Sequence, residues 1–242
     1  MTAPAILVVG AGDATGGAIA RRFAREGFTA CVSRRHEDAL TPLVRQIEEQ
    51  GGRARAFGSD ARDEEQAVAL VDTIEREVGP LEVLVFNIGA NVNFPIRETT
   101  ARVYRKVWEM AAFAGFLAGR EAARVMVPRG RGTIIFTGAT ASLRGGKGFA
   151  AFAGAKFALR ALAQSMAREL GPEGIHVVHP VIDGAIDTAF IRDNFPERYA
   201  LKERDGILDP EHIADAYWML HRQPRSAWTH ELDLRPWMEP MA

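Results

Sequence analysis

The chain has 242 residues, a hydrophobic fraction of 47%, and 30 basic against 31 acidic side chains. This ordinary globular composition excludes a largely disordered chain, and a formal net charge of -1 excludes a broad field for nucleic acid or an anionic membrane. No apolar run is long enough to span a membrane, no signal peptide is recognisable, and the lone Cys31 suits a reducing compartment. The sequence therefore predicts a cytoplasmic protein.

Short β-rich runs alternate with longer amphipathic stretches along the chain. In chain order, strands are predicted at residues 5–9, 29–33, 53–57, 81–86, 132–137, 175–179 and 231–234. Helices are predicted between them at residues 15–26, 37–50, 64–78, 100–126, 149–170 and 210–221. This alternation is typical of a parallel sheet with crossover helices, and no repeat or long linker divides it. A single domain over residues 1–242 is predicted.

The stretch 187–209 is the least regular part of the chain, since Pro196, Gly206 and scattered charges interrupt every periodic pattern. Two interpretations stay open for it. It is either a mobile lid over a substrate site or a surface connection that contains a short helix.

A glycine-rich segment follows the first predicted strand and opens the first predicted helix. Residues 10–17 read Gly-Ala-Gly-Asp-Ala-Thr-Gly-Gly. Glycine lets the backbone approach a pyrophosphate group, and the N–H groups and dipole of a helix N-terminus stabilise its charge. A structural turn is the alternative, but the alternating strands favour nucleotide binding. The predicted fold class is α/β, a Rossmann-type doubly wound sheet of seven parallel strands flanked by helices on both faces.

Two arginines stand at the end of the second predicted strand, where the sequence reads Ser33-Arg34-Arg35. An acidic side chain at this point would bind the adenosine 2′-hydroxyl of NAD(H), whereas guanidinium groups suit the 2′-phosphate of NADP(H). Arginines that simply face solvent in a loop are the alternative. The sequence favours NADP(H) as the cofactor.

With these motifs the chain resembles the short-chain dehydrogenase/reductase family over essentially its whole length. Gly10 and Gly16 match the first and third glycines of the family's TGxxxGxG motif, and Ala14 stands at the middle one. Residues 59–61 resemble the adenine-contacting turn, and residues 86–89 stand in place of the family's NNAG motif. The resemblance implies cofactor contacts from Gly10, Gly12, Asp13, Ala14, Thr15, Gly16, Ser33, Arg34, Arg35, Asp60, Ala61, Asn87, Gly89, Lys156, Gly184, Ile186 and Thr188.

The resemblance also locates four catalytic positions, of which only the lysine is kept. Lys156 matches the lysine of the YxxxK motif, which holds the nicotinamide ribose, but Phe152 stands at the tyrosine. Ala139 stands at the serine, with Thr140 as the better nearby hydroxyl, and Ala112 at the asparagine. Phenylalanine donates no proton, and general acid–base catalysis commonly contributes about 10² to 10⁴ in rate. Ketone reduction by the usual tyrosine route is therefore not expected.

Asp183-Gly184 replaces the family's Pro-Gly sequence after the sixth strand, in the segment that normally borders nicotinamide. We hypothesise that Asp183 helps to handle the proton, directly or through water with Lys156. An Asx turn before Gly184 is the alternative. The candidate catalytic residues are thus Lys156, Thr140 and Asp183, with Phe152 at the tyrosine position.

Metal chemistry is not indicated by the sequence. His176 and His179 stand on opposite faces of one predicted strand, and neither an HExxH nor a CxxC pattern occurs. No metal site is therefore predicted.

Two functions remain open. The first is an NADP(H)-dependent oxidoreductase with non-standard proton delivery, acting on a small organic substrate with an activated C=C, C=N or C=O bond. The second is a catalytically inactive nucleotide-binding pseudoenzyme that acts as a sensor or scaffold. The resemblance further implies a homodimer or homotetramer assembled through the helices that contain Ala112 and Lys156, and no nucleic-acid or membrane partner is expected.

Overall fold

The computed structural model describes residues 2–240. Its strands are β1 (Ala5–Val9), β2 (Thr29–Arg34), β3 (Arg53–Gly58), β4 (Leu81–Phe86), β5 (Gly132–Phe136), β6 (Gly138–Ala139), β7 (Ile175–Ile182) and β8 (Glu231–Leu234). Its α-helices are α1 (Thr15–Arg25), α2 (Thr41–Glu49), α3 (Glu64–Glu77), α4 (Ala101–Trp108), α5 (Ala114–Met126), α6 (Ala150–Leu170), α7 (Ala189–Asn194), α8 (Pro196–Tyr199) and α9 (Pro210–His221).

All the strands pair in parallel in one sheet, in the order β3-β2-β1-β4-β5-β7, with β8 on the far side of β7. The two-residue β6 continues the line of β5 and also pairs with β7. The predicted Rossmann-type sheet with seven main strands is confirmed. The strand order reverses between β1 and β4, and in open α/β sheets the crevice at such a point is where ligands bind.

Two apolar cores cover the two faces of the sheet. Ile6 and Val8 of β1 face the core that α1, α2 and α9 complete. Ala5, Leu7 and Val9 of the same strand face the core that α3, α5 and α6 complete. Side chains that alternate along a strand point to opposite faces, so a strand buried on both faces reads as continuous apolar sequence.

Several predicted boundaries were right because local signals set them. The helix predicted at 64–78 begins at Glu64 as expected, because the Asp63 carboxylate accepts a hydrogen bond from the Gln66 N–H and caps α3. The helix predicted at 37–50 is wrong in its first turn, which is a 3₁₀ helix (Glu37–Leu40) before α2. Pro42 lies in the first turn of α2, where its missing N–H costs no helical hydrogen bond.

The helix predicted at 100–126 forms over nearly that range, but five residues of π-helix, Glu109–Phe113, interrupt its α-helical hydrogen bonds between α4 and α5. Such wide turns insert an extra residue without ending the helix, and they occur frequently at functional sites. Ala112, at the expected asparagine position, lies inside this turn and is buried.

The strand predicted at 175–179 runs three residues further, to Ile182, in spite of Pro180. The N–H of His179 donates to His230 O at 2.8 Å, and the N–H of Asp183 donates to Leu234 O at 2.8 Å. Since Pro180 lies between these two bonds, the ladder to β8 continues past it. The extension brings Asp183 to the end of the strand.

Residues 188–207 leave the sheet and return at nearly the same point. The N–H of Asp187 donates to Leu208 O at 2.8 Å, and the N–H of Leu208 donates to Ala185 O at 2.8 Å. Between these ends lie α7, α8 and a 3₁₀ helix, Ala200–Arg204.

Among the described residues, no helix combines the length and apolar content that crossing a bilayer requires.

Candidate functional site

A groove opens at the carboxyl ends of β1, β2 and β4, at the point where the strand order reverses. Nine residues of the predicted cofactor set line it: Gly10, Gly12, Ser33, Arg34, Arg35, Asp60, Ala61, Asn87 and Gly89. Seven further residues line it that were absent from that set: Val9, Ala11, Ser59, Arg62, Ile88, Ala90 and Met110. The groove is continuous from the glycine turn to the turn after β3.

The glycine turn is shaped by close backbone approaches. Gly10 has a φ of +85°, a conformation that side chains other than glycine rarely adopt. At Gly16, a Cβ atom would lie 2.9 Å from both Ala11 Cα and Gly10 O, so only glycine fits at this point of α1. Asn87 braces the turn, since its side-chain amide donates to Gly10 O at 3.3 Å. Gly10 and Gly12 of this turn line the groove directly before α1 begins.

The opposite rim of the groove is basic. Arg34 and Arg35 are exposed at the end of β2. The nearby Glu37 carboxylate is engaged elsewhere, since it accepts the N–H of Gly58 at 3.0 Å. Asp60 is also engaged, because Arg62 forms two side-chain hydrogen bonds to its carboxylate and holds the pKa of Asp60 down at about 2. The rim thus offers two guanidinium groups to an anionic ligand.

Lys156 lies where the ends of β4 and β5 separate. Its ammonium group donates to Ile88 O at 3.1 Å and to Thr137 O at 2.8 Å. The side chain is buried, and burial lowers the pKa of Lys156 to about 7. The ammonium group thus links the segment after β4 to the segment after β5. One of its three N–H groups is left for another acceptor.

The aromatic ring at the expected tyrosine position is packed among small apolar groups. Phe152 is buried in a cluster with Ala141 and Ala153, and Ala139 and Phe149 pack against it. The Lys156 Nζ lies 5.9 Å from the centre of the Phe152 ring. The side chains of this cluster are alanine and phenylalanine, so none of them can donate a proton.

Thr140 and Asp183 meet directly, although 43 residues separate them in sequence. The Thr140 hydroxyl donates a hydrogen bond to Asp183 Oδ1. Thr140 is half-buried, whereas Asp183 is only 1% exposed. The other carboxylate oxygen, Oδ2, has no hydrogen-bond partner among residues 2–240 and lies 3.9 Å from Arg235 Nη1. A buried carboxylate with one hydroxyl partner thus stands beside the 3₁₀ turn that follows β6.

The other residues of the predicted set are not among the residues that line the groove. Asp13, Ala14 and Thr15 lead into α1, and Ala14 is the N-cap residue without a side-chain hydrogen bond. Gly184 has a φ of +145°, and Ile186 forms an isolated bridge to Leu208. Thr188 caps α7, with its hydroxyl accepting the N–H of Ile191 at 3.2 Å. Whether these residues contact a cofactor stays a prediction.

Two arginines at this end of the sheet were missed by sequence reasoning. Arg62 follows the adenine-type turn by one residue, and its proximity to Asp60 in sequence was an available signal. Arg235 offered no such signal, because it follows β8. The paired residues of β7 and β8, such as His179 and Glu231, are 52 residues apart in sequence.

No group of three potential metal ligands occurs among the described residues.

The fold and the groove together define a nucleotide-binding α/β protein of the short-chain dehydrogenase type. The family model described as "short chain dehydrogenase" matches residues 4–198, so the chain belongs to this family and is an oxidoreductase. The gluconate 5-dehydrogenase of Gluconobacter oxydans (strain 621H) is 27% identical over 222 residues, which cover 92% of this chain and 80% of that protein.

Solved structures agree with this assignment. A crystal structure of a short-chain dehydrogenase from Rhodopseudomonas palustris is 52% identical, with a TM-score of 0.83 over 97% of this chain and 99% of that one. A dehydrogenase/reductase from Sinorhizobium meliloti 1021 is 28% identical, with a TM-score of 0.85 over 98% of this chain and 95% of that one. The similarity thus extends over nearly the whole chain.

Proposed function

We propose that the protein is an NADP(H)-dependent oxidoreductase that handles the substrate proton through Thr140 and Asp183. Its substrate is a small organic molecule with an activated C=O, C=N or C=C bond. The observation that carries this proposal is the hydrogen bond from the Thr140 hydroxyl to the buried Asp183 carboxylate. Thr140 follows Ala139, which the resemblance predicts at the family's serine position. Ala139 and Ala141, on either side of Thr140, pack with Phe152, which cannot donate a proton.

The Thr140 hydroxyl points its proton at the Asp183 carboxylate, so the Thr140–Asp183 pair can accept a proton from a substrate. In the oxidising direction, Thr140 takes the proton of a substrate alcohol or amine as its own proton passes to Asp183. In the reducing direction the same transfers run backwards, from Asp183 to Thr140 and from Thr140 to the developing anion. The half-buried Thr140 is the member that a substrate reaches, and the bound cofactor supplies or accepts the hydride.

The choice of NADP(H) is supported by the basic rim. Arg34 and Arg35 line the groove and are exposed, while Glu37 is turned to the backbone of Gly58. A 2′-phosphate would meet two bidentate donors there and no free carboxylate from Glu37. Lys156 does not line the groove itself, but its ammonium group donates to the carbonyl of Ile88, which does, and its remaining N–H suits a ribose hydroxyl.

The test is a stopped-flow screen of NADPH oxidation with one probe for each bond type: 2,3-butanedione, 2-methyl-1-pyrroline and crotonyl-coenzyme A. We expect at least one probe to be reduced. Asp183→Asn and Thr140→Val should each lower kcat for that probe by about 10² or more, because each removes a proton carrier. Cofactor affinity, measured by fluorescence titration, should stay unchanged.

Asp72→Asn is the matched control, since the Asp72 carboxylate pairs with Arg124 on the helical surface. It should leave both turnover and cofactor affinity unchanged. Wild-type turnover in Asp183→Asn would defeat the proposed proton route.

The apolar packing around Phe152 favours a second candidate, a cofactor-binding protein without turnover. In that case the Thr140–Asp183 pair would only close the turn before Gly184. Tight NADPH binding with no reduction of any of the three probes would support this pseudoenzyme function.

We also propose a homodimer or homotetramer formed through α4, α5 and α6. Exposed aromatic side chains on these helices support it: Tyr104, Trp108, Phe116 and Phe157. Large apolar side chains exposed on adjacent helices are typical of subunit contacts. Size-exclusion chromatography with light scattering should give two or four times the mass of the chain, and a monomer at micromolar concentration would contradict it.

A further inference from the structure

The segment that follows β8 crosses the end of β7 at the candidate catalytic site. β8 pairs with β7 so that Ile182 stands opposite Leu234, and Asp183 and Arg235 are the next residues of the two strands. The following residue, Pro236, packs so closely on Gly184 that a Cβ atom there would lie 2.8 Å from Pro236 Cδ. The pairing register thus brings Arg235 beside Asp183.

Arg235 forms an ion pair with the buried Asp183 carboxylate. Its Nη1 lies 3.9 Å from Asp183 Oδ2, and its Nη2 forms an ion pair with Asp233. The Arg235 side chain is 17% exposed and that of Asp183 only 2%. Removing a carboxylate from water is costly unless a charge or a hydrogen bond compensates it, and Thr140 serves only the other oxygen, Oδ1.

The same segment also holds the irregular excursion after β7. The Trp237 indole N–H donates to Arg204 O at 2.9 Å. Glu239 forms an ion pair with Arg198 at 2.5 Å. Residues 235–239 therefore contact the Asp183-Gly184 turn at one end and residues 198–204 at the other.

We infer that Arg235 is a positioning residue of the active site, which holds Asp183 so that its Oδ1 faces the Thr140 hydroxyl. The inference rests on the proposed function of Thr140 and Asp183. Arg235 compensates Oδ2, so the carboxylate does not rotate away from Thr140 to find another partner. It acts through Asp183 and has no direct contact with substrate in this role.

The test compares Arg235→Gln and Arg235→Lys with the wild type, using whichever of the three probes the wild type reduces. Arg235→Gln should lower kcat by about 10- to 100-fold with KM and NADPH affinity unchanged, because misplacing a reacting group costs rate rather than binding. Arg235→Lys keeps the charge and should recover part of the loss. Arg131→Gln, which breaks the exposed pair with Glu82, is the matched control and should behave as wild type.

A double-mutant cycle separates positioning from a structural role. The double variant Asp183→Asn/Arg235→Gln should turn over no more slowly than Asp183→Asn alone, because Arg235 has nothing left to position. The wild type, the two single variants and the double variant are also unfolded in urea. Non-additive shifts of the unfolding midpoint report the coupling between Asp183 and Arg235 in the absence of substrate. Coupling in urea without coupling in kcat would make Arg235 structural only and overturn the inference.

The outcomes also distinguish the inference from the proposed function. If Asp183→Asn loses turnover while Arg235→Gln keeps wild-type kcat, the inference fails and the proposed function stands. If Asp183→Asn keeps wild-type turnover, the proposed function fails and the positioning role fails with it. If Arg235→Gln does not fold, Arg235→Lys is used in its place. A kcat below that of the wild type, with KM and NADPH affinity unchanged, then supports the inference, and a wild-type kcat overturns it.

Discussion

The two sides of the sheet crevice differ in what they retain of the family pattern. The nucleotide side, at the ends of β1, β2 and β4, keeps its glycine turn, its basic rim and Asn87. On the catalytic side, at the ends of β5, β6 and β7, the sequence resemblance matches only Lys156 to the family pattern, and it predicts that Ala139 and Phe152 stand at the serine and tyrosine positions.

The difference follows from how each side works. Pyrophosphate binding relies on backbone N–H groups and on space, so Ala14 at a glycine position leaves the turn intact. Proton transfer relies on individual side-chain atoms, so replacing a phenol by a phenyl ring removes the function outright. The new Thr140–Asp183 contact lies on the side where the usual groups are missing.

The largest test of this comparison restores the missing groups. Phe152→Tyr with Ala139→Ser should raise NADPH-dependent reduction of 2,3-butanedione by about 10²-fold, because a phenol would again stand one helical turn before Lys156. The measurement is the steady-state rate of NADPH oxidation. Phe157→Tyr adds a phenol on the same helix but outside the apolar cluster around Phe152, and it should give no gain. An equal gain in both variants would show that the position is irrelevant.

A smaller effect is expected on the nucleotide side. Replacing Arg34 and Arg35 by alanine should weaken NADPH binding by about 10- to 100-fold, since charge-assisted hydrogen bonds contribute about 1.5–3 kcal/mol. NADH affinity should change little, and fluorescence titration with both reduced cofactors measures the ratio. Arg45→Ala, an exposed change on α2 outside the groove lining, serves as the control. Tighter NADH than NADPH binding by the wild type would reverse the cofactor assignment.

The smallest effect concerns stability and both ends of the sheet. Burial lowers the pKa of His179, under the catalytic side, and of His221, near the start of β5, to about 4. The unfolded chain binds these protons at its ordinary pKa of 6.5, so stability present above pH 6.5 is lost as the pH falls toward 4.

Urea unfolding should therefore show a loss of about 1 to 2 kcal/mol per histidine between pH 7 and pH 5. His221→Gln should remove its share of that loss, although the variant is less stable overall because the ring packs against Phe23 and Phe28. An unchanged pH dependence in this variant would refute the assignment.

Much of the architecture could be predicted because its signals are local. Apolar runs, helix caps and the glycine turn each depend on residues within one element, and they placed the strands, α1 and α3 within a few residues. Details were missed where tertiary packing decides. Examples are the π-turn at 109–113 and the extension of β7 through Pro180, which pairing with β8 supports.

The sequence by itself determined the parallel sheet, the nucleotide groove and the absence of a phenol at position 152, because periodicity, motif spacing and residue chemistry are written along the chain. It also suggested Thr140 and Asp183 separately. Only the tertiary structure joined them and added Arg235, because the three residues lie at the ends of three strands. Their contact depends on strand order and pairing register, which are set by packing between segments far apart in sequence.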